Sequence, residues 1–499
     1  MNLNTHHTLV THLLELLPDA RRVETHISSV LLSGEVAYKI KKPVDFGFLD
    51  YGTLEKRRRC CEEEFRSNRR FAPQLYLGVV AIAGTPEDPL LEGEGEAIEY
   101  AVKMRRFHQE DQLDHRFEGE GMAPETADAL AAVIADFHQR AEPVGAGKAY
   151  GDPDRVVAPM LENFELMETL GDARLEALKR RTLEEFERLK PLLERRKTEG
   201  YVRECHGDMH LHNIAFFEDT LILFDAIEFN PFLSHIDVIS DLAFLLMDLE
   251  ERGEVRFASR LLNAYLERTG DYGGVALLEF YKRYRAMVRA KVEWLQALQH
   301  PEGVGRERGL KAVESYILLA ESYGRRHAPF LAITVGASGS GKSAAALEGV
   351  ETFGILRLRS DAERMRRFAG KEERYGGAAT RQTYARLLEL SGMLLQSGYG
   401  VIADATFLKR FQRDPFAQLA EERGVRFVIL EMACDAATMR RRLAERAEAG
   451  RDISEADAGV MERQLDGAEP LGSDERRCGR CVSCESPERM ARDVREALS

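Results

Sequence analysis

The sequence lacks several features that would assign it to specialised protein classes. No apolar run approaches the roughly 18 to 20 residues needed to cross a bilayer. The first residues lack the basic leader and the long apolar core of a signal peptide, so we expect a cytoplasmic protein. The net charge of -14 argues against general nucleic-acid binding, although a local basic groove for one phosphorylated ligand remains compatible with it.

Cysteine is also scarce, with seven residues in a chain of 499. This number is too small and too unevenly spaced for a disulfide scaffold. We therefore expect Cys60, Cys61, Cys205 and Cys434 to be isolated residues in a reducing compartment.

The length and the pattern of apolar residues predict more than one compact unit. Short β-like runs surround one helix-like segment over about 20–107, and residues 108–325 are mostly helical. Residues 328–499 begin with apolar strands that alternate with helices, which favours an α/β unit with a parallel sheet. The sequence thus predicts two domains, 1–325 and 328–499.

The most specific motif is G-x-x-x-x-G-K-S, which follows an apolar strand and precedes a helix-forming segment. Glycines let backbone N–H groups curl around phosphate oxygens, a lysine reaches the terminal phosphates, and a serine hydroxyl can ligate magnesium. The predicted nucleotide-binding residues of this loop are Gly336, Ser338, Gly339, Ser340, Gly341, Lys342 and Ser343. A later apolar strand ends at Asp404, where a second carboxylate is expected to hold Mg²⁺ through water.

The segment from about Pro329 to Gln464 resembles small P-loop kinases of the AAA-33 group, which includes zeta-toxin-like and gluconate-kinase-like proteins. In that group an acidic residue after the next strand faces the phosphate acceptor, which implies Asp361 as the base. The group also has a lid with arginines that neutralise the transferring phosphoryl group. The segment "ATMRRRLAERAEAGRDISEAD" is similar to this lid and implies Arg442 and Arg446.

Three histidines and an aspartate lie within the stretch "HGDMHLH", which suggests a metal-hydrolase site. A kinase-type catalytic loop is the alternative, because Asp208 is followed five residues later by Asn213. A predicted strand–turn–strand segment then ends at Asp225, a second magnesium ligand. The kinase interpretation uses all three residues, whereas the metal-hydrolase interpretation leaves Asn213 and Asp225 without roles. We therefore favour the kinase interpretation, with Asp208 as catalytic base and His206 as a brace.

This loop resembles that of the aminoglycoside phosphotransferase branch of the protein-kinase-like α+β fold, and the resemblance covers most of residues 20–325. It implies a nucleotide-binding lysine at Lys39, with Lys41 as the alternative, since both share one face of a strand. It also implies a glutamate partner on the next helix, Glu64, with its neighbour Glu63 not excluded. The turn "LLSGE" departs from the G-x-G-x-x-G pattern, so the segment that covers the ATP phosphates must differ in structure from the usual glycine-rich loop.

Both halves together resemble the bifunctional aminoglycoside phosphotransferase/ATP-binding proteins, on the motifs "HGDMHLHN", "DAIEFNP" and "GASGSGKS". The resemblance implies a kinase that uses ATP and Mg²⁺ at two sites and phosphorylates a hydroxyl of a small molecule. A regulatory protein is the alternative, in which the P-loop domain is an ATPase switch on a ligand-binding kinase-like domain.

Three cysteines, Cys478, Cys481 and Cys484, lie near the end of the chain in a C-x-x-C-x-x-C pattern. This spacing is typical of thiolates that converge on zinc or an iron–sulfur cluster, and reduced surface thiols are the alternative. A fourth ligand would have to come from Cys434, from another distant residue or from another chain.

Overall fold

The computed structural model describes residues 2–45, 49–119, 121–145, 147–299, 303–324, 328–368, 370, 374, 376–449 and 457–499. The chain forms two compact units that alternate along the sequence. The first unit contains 1–123, 136–248 and 280–320, and the second contains 124–135, 249–279 and 321–499. Part of the helical region, 249–279, thus belongs to the same unit as the C-terminal α/β segment.

Up to residue 324, strands concentrate near the start and helices follow. The helices are α1 (Leu3–Leu16), α2 (Leu54–Asn68), α3 (Leu113–Glu118), α4 (Pro124–Arg140), α5 (Pro153–Leu166), α6 (Ala173–Thr198), α7 (Pro231–Ser234), α8 (Val238–Glu251), α9 (Val255–Thr269), α10 (Val275–Gln299) and α11 (Val304–Ser322). The strands are β1 (Arg21–Glu24), β2 (Ser28–Ser33), β3 (Val36–Lys41), β4 (Tyr76–Gly84), β5 (Pro89–Leu91), β6 (Glu99–Arg105), β7 (Val202–Glu204), β8 (Ile214–Phe217), β9 (Thr220–Leu223) and β10 (His235–Asp237).

The first unit begins with a six-stranded antiparallel sheet in the order β1-β2-β3-β6-β4-β5. The N-terminal helix α1 packs on it, because Leu9, Val10 and Leu13 are buried with Leu31 and Ile40 of the sheet. The core of the predicted small sheet therefore includes residues upstream of position 20. The next helix, α2, packs beside Lys39 and Lys41 of β3.

The predicted strand–turn–strand segment is the hairpin β8–β9. Its turn residues Glu218 and Asp219 have positive φ values of 48° and 58°, which match the right-handed twist of a tight two-residue hairpin. The hairpin begins directly after Asn213 and ends two residues before Asp225. It therefore fixes the separation between the two segments that carry the predicted site residues.

From residue 328 onward, strands and helices alternate as predicted. The strands are β11 (Phe330–Val335), β12 (Leu356–Arg359), β13 (Val401–Asp404), β14 (Arg426–Ala433) and β15 (Gly479–Ser483). The helices are α12 (Lys342–Phe353), α13 (Ser360–Arg367), α14 (Gly377–Gln396), α15 (Arg410–Arg423), α16 (Ala436–Ala449), α17 (Ala458–Asp466) and α18 (Pro487–Leu498). The five strands form a parallel sheet in the order β12-β13-β11-β14-β15.

The cysteine-containing C-terminal segment is an integral part of this sheet. Its residues form β15, which pairs with β14, and the final helix α18. Val494, Ala497 and Leu498 of α18 are buried in the same core cluster as Ala345 and Val350 of α12. Among the described residues, no helix is long and apolar enough to span a bilayer.

We expect Leu498→Ala to lower the free energy of unfolding by about 2 kcal/mol, because it leaves a cavity between α18 and the sheet. Leu498 is 2% exposed. Urea unfolding followed by circular dichroism measures the change. Arg492→Ala, on the solvent-facing side of the same helix, is the control and should change stability by less than about 0.5 kcal/mol. Equal stability of both variants would contradict the integral role of α18.

Candidate active sites

A buried carboxylate joins the sheet of the first unit to helix α2. Glu64 Oε1 lies 2.9 Å from Lys39 Nζ, and Glu64 Oε2 lies 2.7 Å from Lys41 Nζ. The side chains of Glu64 and Lys41 are fully buried, and that of Lys39 is 9% exposed. One glutamate therefore contacts both lysines that the sequence offered as alternatives.

The two lysines differ in their remaining partners. Lys39 Nζ also contacts Asp225, so it lies beside the predicted magnesium ligand. Lys41 Nζ instead contacts Glu228 and lies 3.1 Å from Tyr51 Oη. The alternative glutamate, Glu63, is 41% exposed and pairs with an arginine on the surface of α2.

The charges in this cluster stabilise one another. Burial alone would lower the pKa of Lys39, but Asp225 and Glu64 outweigh it and raise that pKa well above its ordinary value. Burial alone would raise the pKa of Glu64, but Lys39 and Lys41 lower it to about 2. Lys39, Lys41 and Glu64 are therefore all ionised at neutral pH.

The catalytic-loop residues predicted from the "HGD" motif lie together. Asn213 Nδ2 donates to Asp208 Oδ2 at 3.2 Å and to the Asp208 carbonyl at 3.0 Å. His210 Nε2 lies 3.3 Å from the same carboxylate oxygen. Removal from water would raise the pKa of Asp208, but His210 outweighs it, so that pKa stays below its ordinary value. Asp208 is 39% exposed, which leaves its carboxylate open to a ligand.

The three histidines of this stretch have separate partners. His206 Nε2 donates to the Phe224 carbonyl at 2.9 Å, and its Nδ1 accepts from the Asp208 amide at 3.4 Å. These two hydrogen bonds connect the catalytic loop to the end of the hairpin and are consistent with the predicted role of His206 as a brace of the loop. His210 contacts Asp208, and His212 contacts Asp114 at 2.9 Å. Within the described residues, the three histidines do not form a group with metal-ligating spacing.

The sequence analysis missed Asp241, which supports the backbone of the catalytic loop. Its Oδ2 accepts from the His206 amide at 3.0 Å and from His138 Nε2 at 3.1 Å. Its Oδ1 accepts from the Gly207 amide at 2.8 Å, and the side chain is 1% exposed. The available signal was a single aspartate inside the apolar run "VISDLAFLL" of α8, since a buried charge requires partners.

Gly207 cannot be replaced without moving the loop. Its φ is +84°, and a Cβ there would lie 2.7 Å from the Leu233 carbonyl oxygen. The segment after the hairpin is fixed to helix α2, because Asn68 Oδ1 accepts from the Ala226 amide at 2.7 Å. Tyr76 Oη accepts from the Asp225 amide at 3.1 Å, and Asp225 has a φ of +61°. These contacts direct Asp225 towards Lys39.

In the second unit, the predicted phosphate loop joins β11 to the N-terminus of α12. Gly339 and Gly341 have φ values of +83° and +95°, and a Cβ at Gly339 would lie 2.8 Å from the Met439 carbonyl oxygen. Lys342 Nζ donates to the Ala337 carbonyl at 2.8 Å across the loop. Burial lowers the pKa of Lys342, which Asp404 and Asp361 partly oppose.

A cavity of about 690 Å³ lies at the carboxyl edge of the parallel sheet. Parallel strands end at the same edge, so residues that follow different strands converge there. The predicted site residues that line the cavity are Ser338, Gly339, Gly341, Lys342, Ser343, Asp361, Asp404, Arg442 and Arg446. Gly336 and Ser340 belong to the same loop, and Ser340 Oγ is buried without a hydrogen bond to the described residues.

Asp404 ends β13, beside the strand that leads into the phosphate loop. Its side chain is 4% exposed, and its Oδ2 makes no hydrogen bond within the described parts of the chain. Arg359 Nε lies 3.9 Å from this oxygen, at the limit of an ion pair. A buried carboxylate oxygen in this state is suited to a hard cation such as Mg²⁺.

The lid arginines come from α16. Arg442 Nη2 donates to the Cys484 carbonyl at 2.8 Å, which holds the guanidinium at the cavity wall. Arg446 follows one turn later on the same helix and also lines the cavity. The remainder of the predicted lid, residues 450–456, lies outside the described residues.

The C-terminal cysteines do not converge on a common point. Cys484 forms a disulfide with Cys434, at the ends of the neighbouring strands β15 and β14. Cys478 and Cys481 are free thiols, half-buried and exposed respectively. The expectation that Cys434 is isolated is wrong, and the structure gives no support to zinc or an iron–sulfur cluster here. Among the described residues, the group with metal-ligating spacing is His138, Cys205 and Asp241.

Comparison with known proteins connects these sites to families. Residues 57–278 match the phosphotransferase enzyme family, and residues 331–471 match an AAA domain family. An uncharacterized protein of Mycobacterium tuberculosis (strain ATCC 25618 / H37Rv) is 32% identical over 462 residues, which cover 89% of this chain and 90% of that protein. The chain belongs to the bifunctional aminoglycoside phosphotransferase/ATP-binding protein family. The two-domain fold and the family predicted from the motifs are confirmed.

Two solved structures have partial similarity to this chain. A gluconokinase from Sinorhizobium meliloti 1021 is 20% identical, covers 35% of this chain and 93% of its own, and has a TM-score of 0.26. A choline/ethanolamine kinase family protein from Mesorhizobium loti is 12% identical, covers 63% and 95%, and has a TM-score of 0.40. The two family matches support a phosphotransfer role for this chain.

We expect Glu64→Gln to lower the free energy of unfolding by about 3 kcal/mol at pH 7, because it removes the shared partner of two buried lysines. The contribution of Glu64 is present above its ordinary pKa of 4.5 and is lost as the pH falls towards 2. The difference between the two proteins should therefore shrink below pH 4.5. Urea unfolding at several pH values measures it.

Glu63→Gln is the matched control, one position along the same helix, and should stay within about 0.5 kcal/mol of the original protein. A difference between the Glu64→Gln and original proteins that is independent of pH would contradict the ionised state of Glu64.

We expect five free thiols per chain in denatured, unreduced protein, because two of the seven cysteines are paired. Full reduction should raise the titre to seven. Thiol titration measures both values, and peptide mapping without reduction should find Cys434 linked to Cys484. A titre of seven before reduction would contradict the disulfide.

Proposed function

We propose that the protein is an ATP-dependent kinase with two phosphotransfer sites, each of which passes the γ-phosphate of ATP to a hydroxyl of a small molecule. The supporting observation is the same in both units. A buried lysine, a carboxylate that faces open space and oxygen ligands suited to Mg²⁺ lie at one place. Phosphoryl transfer needs positioning and charge neutralisation more than covalent participation by the protein, and these residue types supply both.

In the first unit, Lys39 contacts the ATP phosphates, and Glu64 holds its ammonium in place. Asp208 stays ionised because its pKa is low, so it can accept the hydrogen bond of the acceptor hydroxyl. The hydroxyl oxygen then bonds to the γ-phosphorus, the bond to the ADP oxygen breaks, and Asp208 takes the hydroxyl proton. Asn213 and Asp225 offer oxygen ligands for Mg²⁺, which when bound neutralises charge on the phosphates.

In the second unit, the N-terminus of α12 and the backbone amides of the loop bind the phosphates, and Lys342 reaches their terminal oxygens. Asp361 orients the second acceptor hydroxyl and accepts its proton. Arg442 and Arg446 neutralise charge on the group in transfer. The Ser343 hydroxyl would bind Mg²⁺ and Asp404 would hold it through water; the Asp404 Oδ2, which makes no hydrogen bond within the described residues, supports this assignment.

We expect Asp208→Asn and Lys342→Ala each to remove a separate part of ATP turnover, since each substitution disables one site. The loss at the affected site should be at least about 100-fold, as is typical when a general base or a transition-state contact is removed. The measurement is ADP release together with mass spectrometry of phosphorylated products from a panel of sugars, nucleosides and amino alcohols.

Matched controls are Asp219→Asn, in the exposed β8–β9 turn, and Lys409→Ala, which removes a surface ion pair with Glu469. Both controls should keep full turnover. Unchanged turnover in Asp208→Asn and Lys342→Ala would reject the proposal. ATP-dependent capture of a protein partner without any phosphorylated product would support the regulatory alternative instead.

A further inference from the structure

Helix α9 contacts strand β12 of the second unit, although it precedes the P-loop segment by more than sixty residues. Asn263 and Glu267 are four positions apart and so share one face of α9. Asn263 Oδ1 accepts from the Arg357 amide at 2.7 Å, and its Nδ2 donates to the Ile355 carbonyl at 3.3 Å. Asn263 thereby occupies the open edge of β12, where no further strand pairs in the described sheet.

Glu267 contacts both arginines of β12. Its Oε2 accepts from Arg357 Nη2 and its Oε1 accepts from Arg359 Nη1, each at 2.9 Å. The Glu267 side chain is 10% exposed, and the arginines are 11% and 13% exposed. These charge-assisted bonds are therefore largely shielded from water and hold both guanidinium groups in a fixed orientation.

Both arginines contact residues of the proposed magnesium site. Arg357 Nη1 donates to the carbonyl of Ser343 at 3.2 Å, at the start of α12. Arg359 lines the cavity, and its Nε lies 3.9 Å from Asp404 Oδ2. The Arg359 guanidinium is thus hydrogen-bonded to Glu267 and only at the limit of ion pairing with Asp404.

We propose that Glu267 is a positioning residue that holds Arg359 away from Asp404 and so keeps the Asp404 carboxylate available to a divalent cation. The inference rests on the proposed function, in which Asp404 is a magnesium ligand. Without Glu267, the arginine moves to the neighbouring buried carboxylate and forms the full ion pair there. A guanidinium bound in this way occupies the lone pairs that a cation needs. Glu267 lies within the phosphotransferase family match, yet it serves the P-loop site.

The test uses Mn²⁺ as the probe, with ADP present, and measures its binding to the full chain by electron paramagnetic resonance. All proteins carry Asp225→Asn, so that the first unit does not contribute a metal site. Glu267→Ala should weaken Mn²⁺ binding roughly 10-fold to 100-fold, the range for residues that orient a metal ligand. Glu267→Gln keeps the shape of the side chain and removes its charge, so it should weaken Mn²⁺ binding in the same direction but by less. It replaces the alanine variant if that variant does not fold.

The second substitution separates this mechanism from a general structural defect. Arg359→Ala in the Glu267→Ala protein removes the competing guanidinium and should restore Mn²⁺ affinity to near the starting value. Arg256→Gln removes the ion pairs of the exposed Arg256 side chain with Glu348 and Glu351 and should leave Mn²⁺ binding unchanged. Thermal unfolding of every variant reports on the fold.

Two results would overturn the inference while leaving the proposed function intact. One is unchanged Mn²⁺ affinity in both Glu267 variants. The other is an equal loss in Glu267→Ala with and without Arg359→Ala, since the loss would then not act through the arginine. Asp404→Asn in the starting protein tests the proposed function itself. If Mn²⁺ binding were unchanged in that variant, the magnesium site of the proposed function would be rejected, and this inference with it.

Discussion

The ion-pair cluster around Glu64 is the contact on which the first unit's site depends. A buried carboxylate must be paired or it is strongly destabilising, and Glu64 meets this requirement with Lys39 and Lys41 on one strand. The same interaction fixes helix α2 against β3. Because Lys39 also contacts Asp225, the position of the segment after the hairpin depends on this cluster as well.

A buried carboxylate also holds the catalytic loop, and here its partners are backbone amides. Asp241 is buried and satisfied by two loop amides and His138, so the loop conformation and the carboxylate stabilise each other. Asp208 then remains exposed to a ligand while its neighbours are fixed. In the second unit, the parallel sheet performs the equivalent task, since it brings the ends of β11, β12 and β13 to one edge.

Residues that are close in sequence were predictable, because their separation is set by local geometry. Asp208 and Asn213 lie in one loop, and the ten-residue β8–β9 hairpin places Asp225 at a defined distance from them. The phosphate loop is likewise a local strand–turn–helix structure. The roles of Asp241 and Glu228 were not predictable in this way, since their partners lie far away in sequence. The pairing of Cys434 with Cys484 arises because β14 and β15 are neighbours, which no local spacing reveals.

The sequence by itself determined the two-domain class, the phosphate loop and the kinase-type catalytic loop, because each is encoded by residue types at short, fixed spacing. Only the tertiary structure decided that Glu64 serves both lysines, that the histidines have separate partners and that Cys484 pairs with Cys434. Only it assigned α9 to the unit that contains the P-loop. The physical reason is that burial and long-range hydrogen bonding select partners by position in space, and the order of residues along the chain does not fix that position.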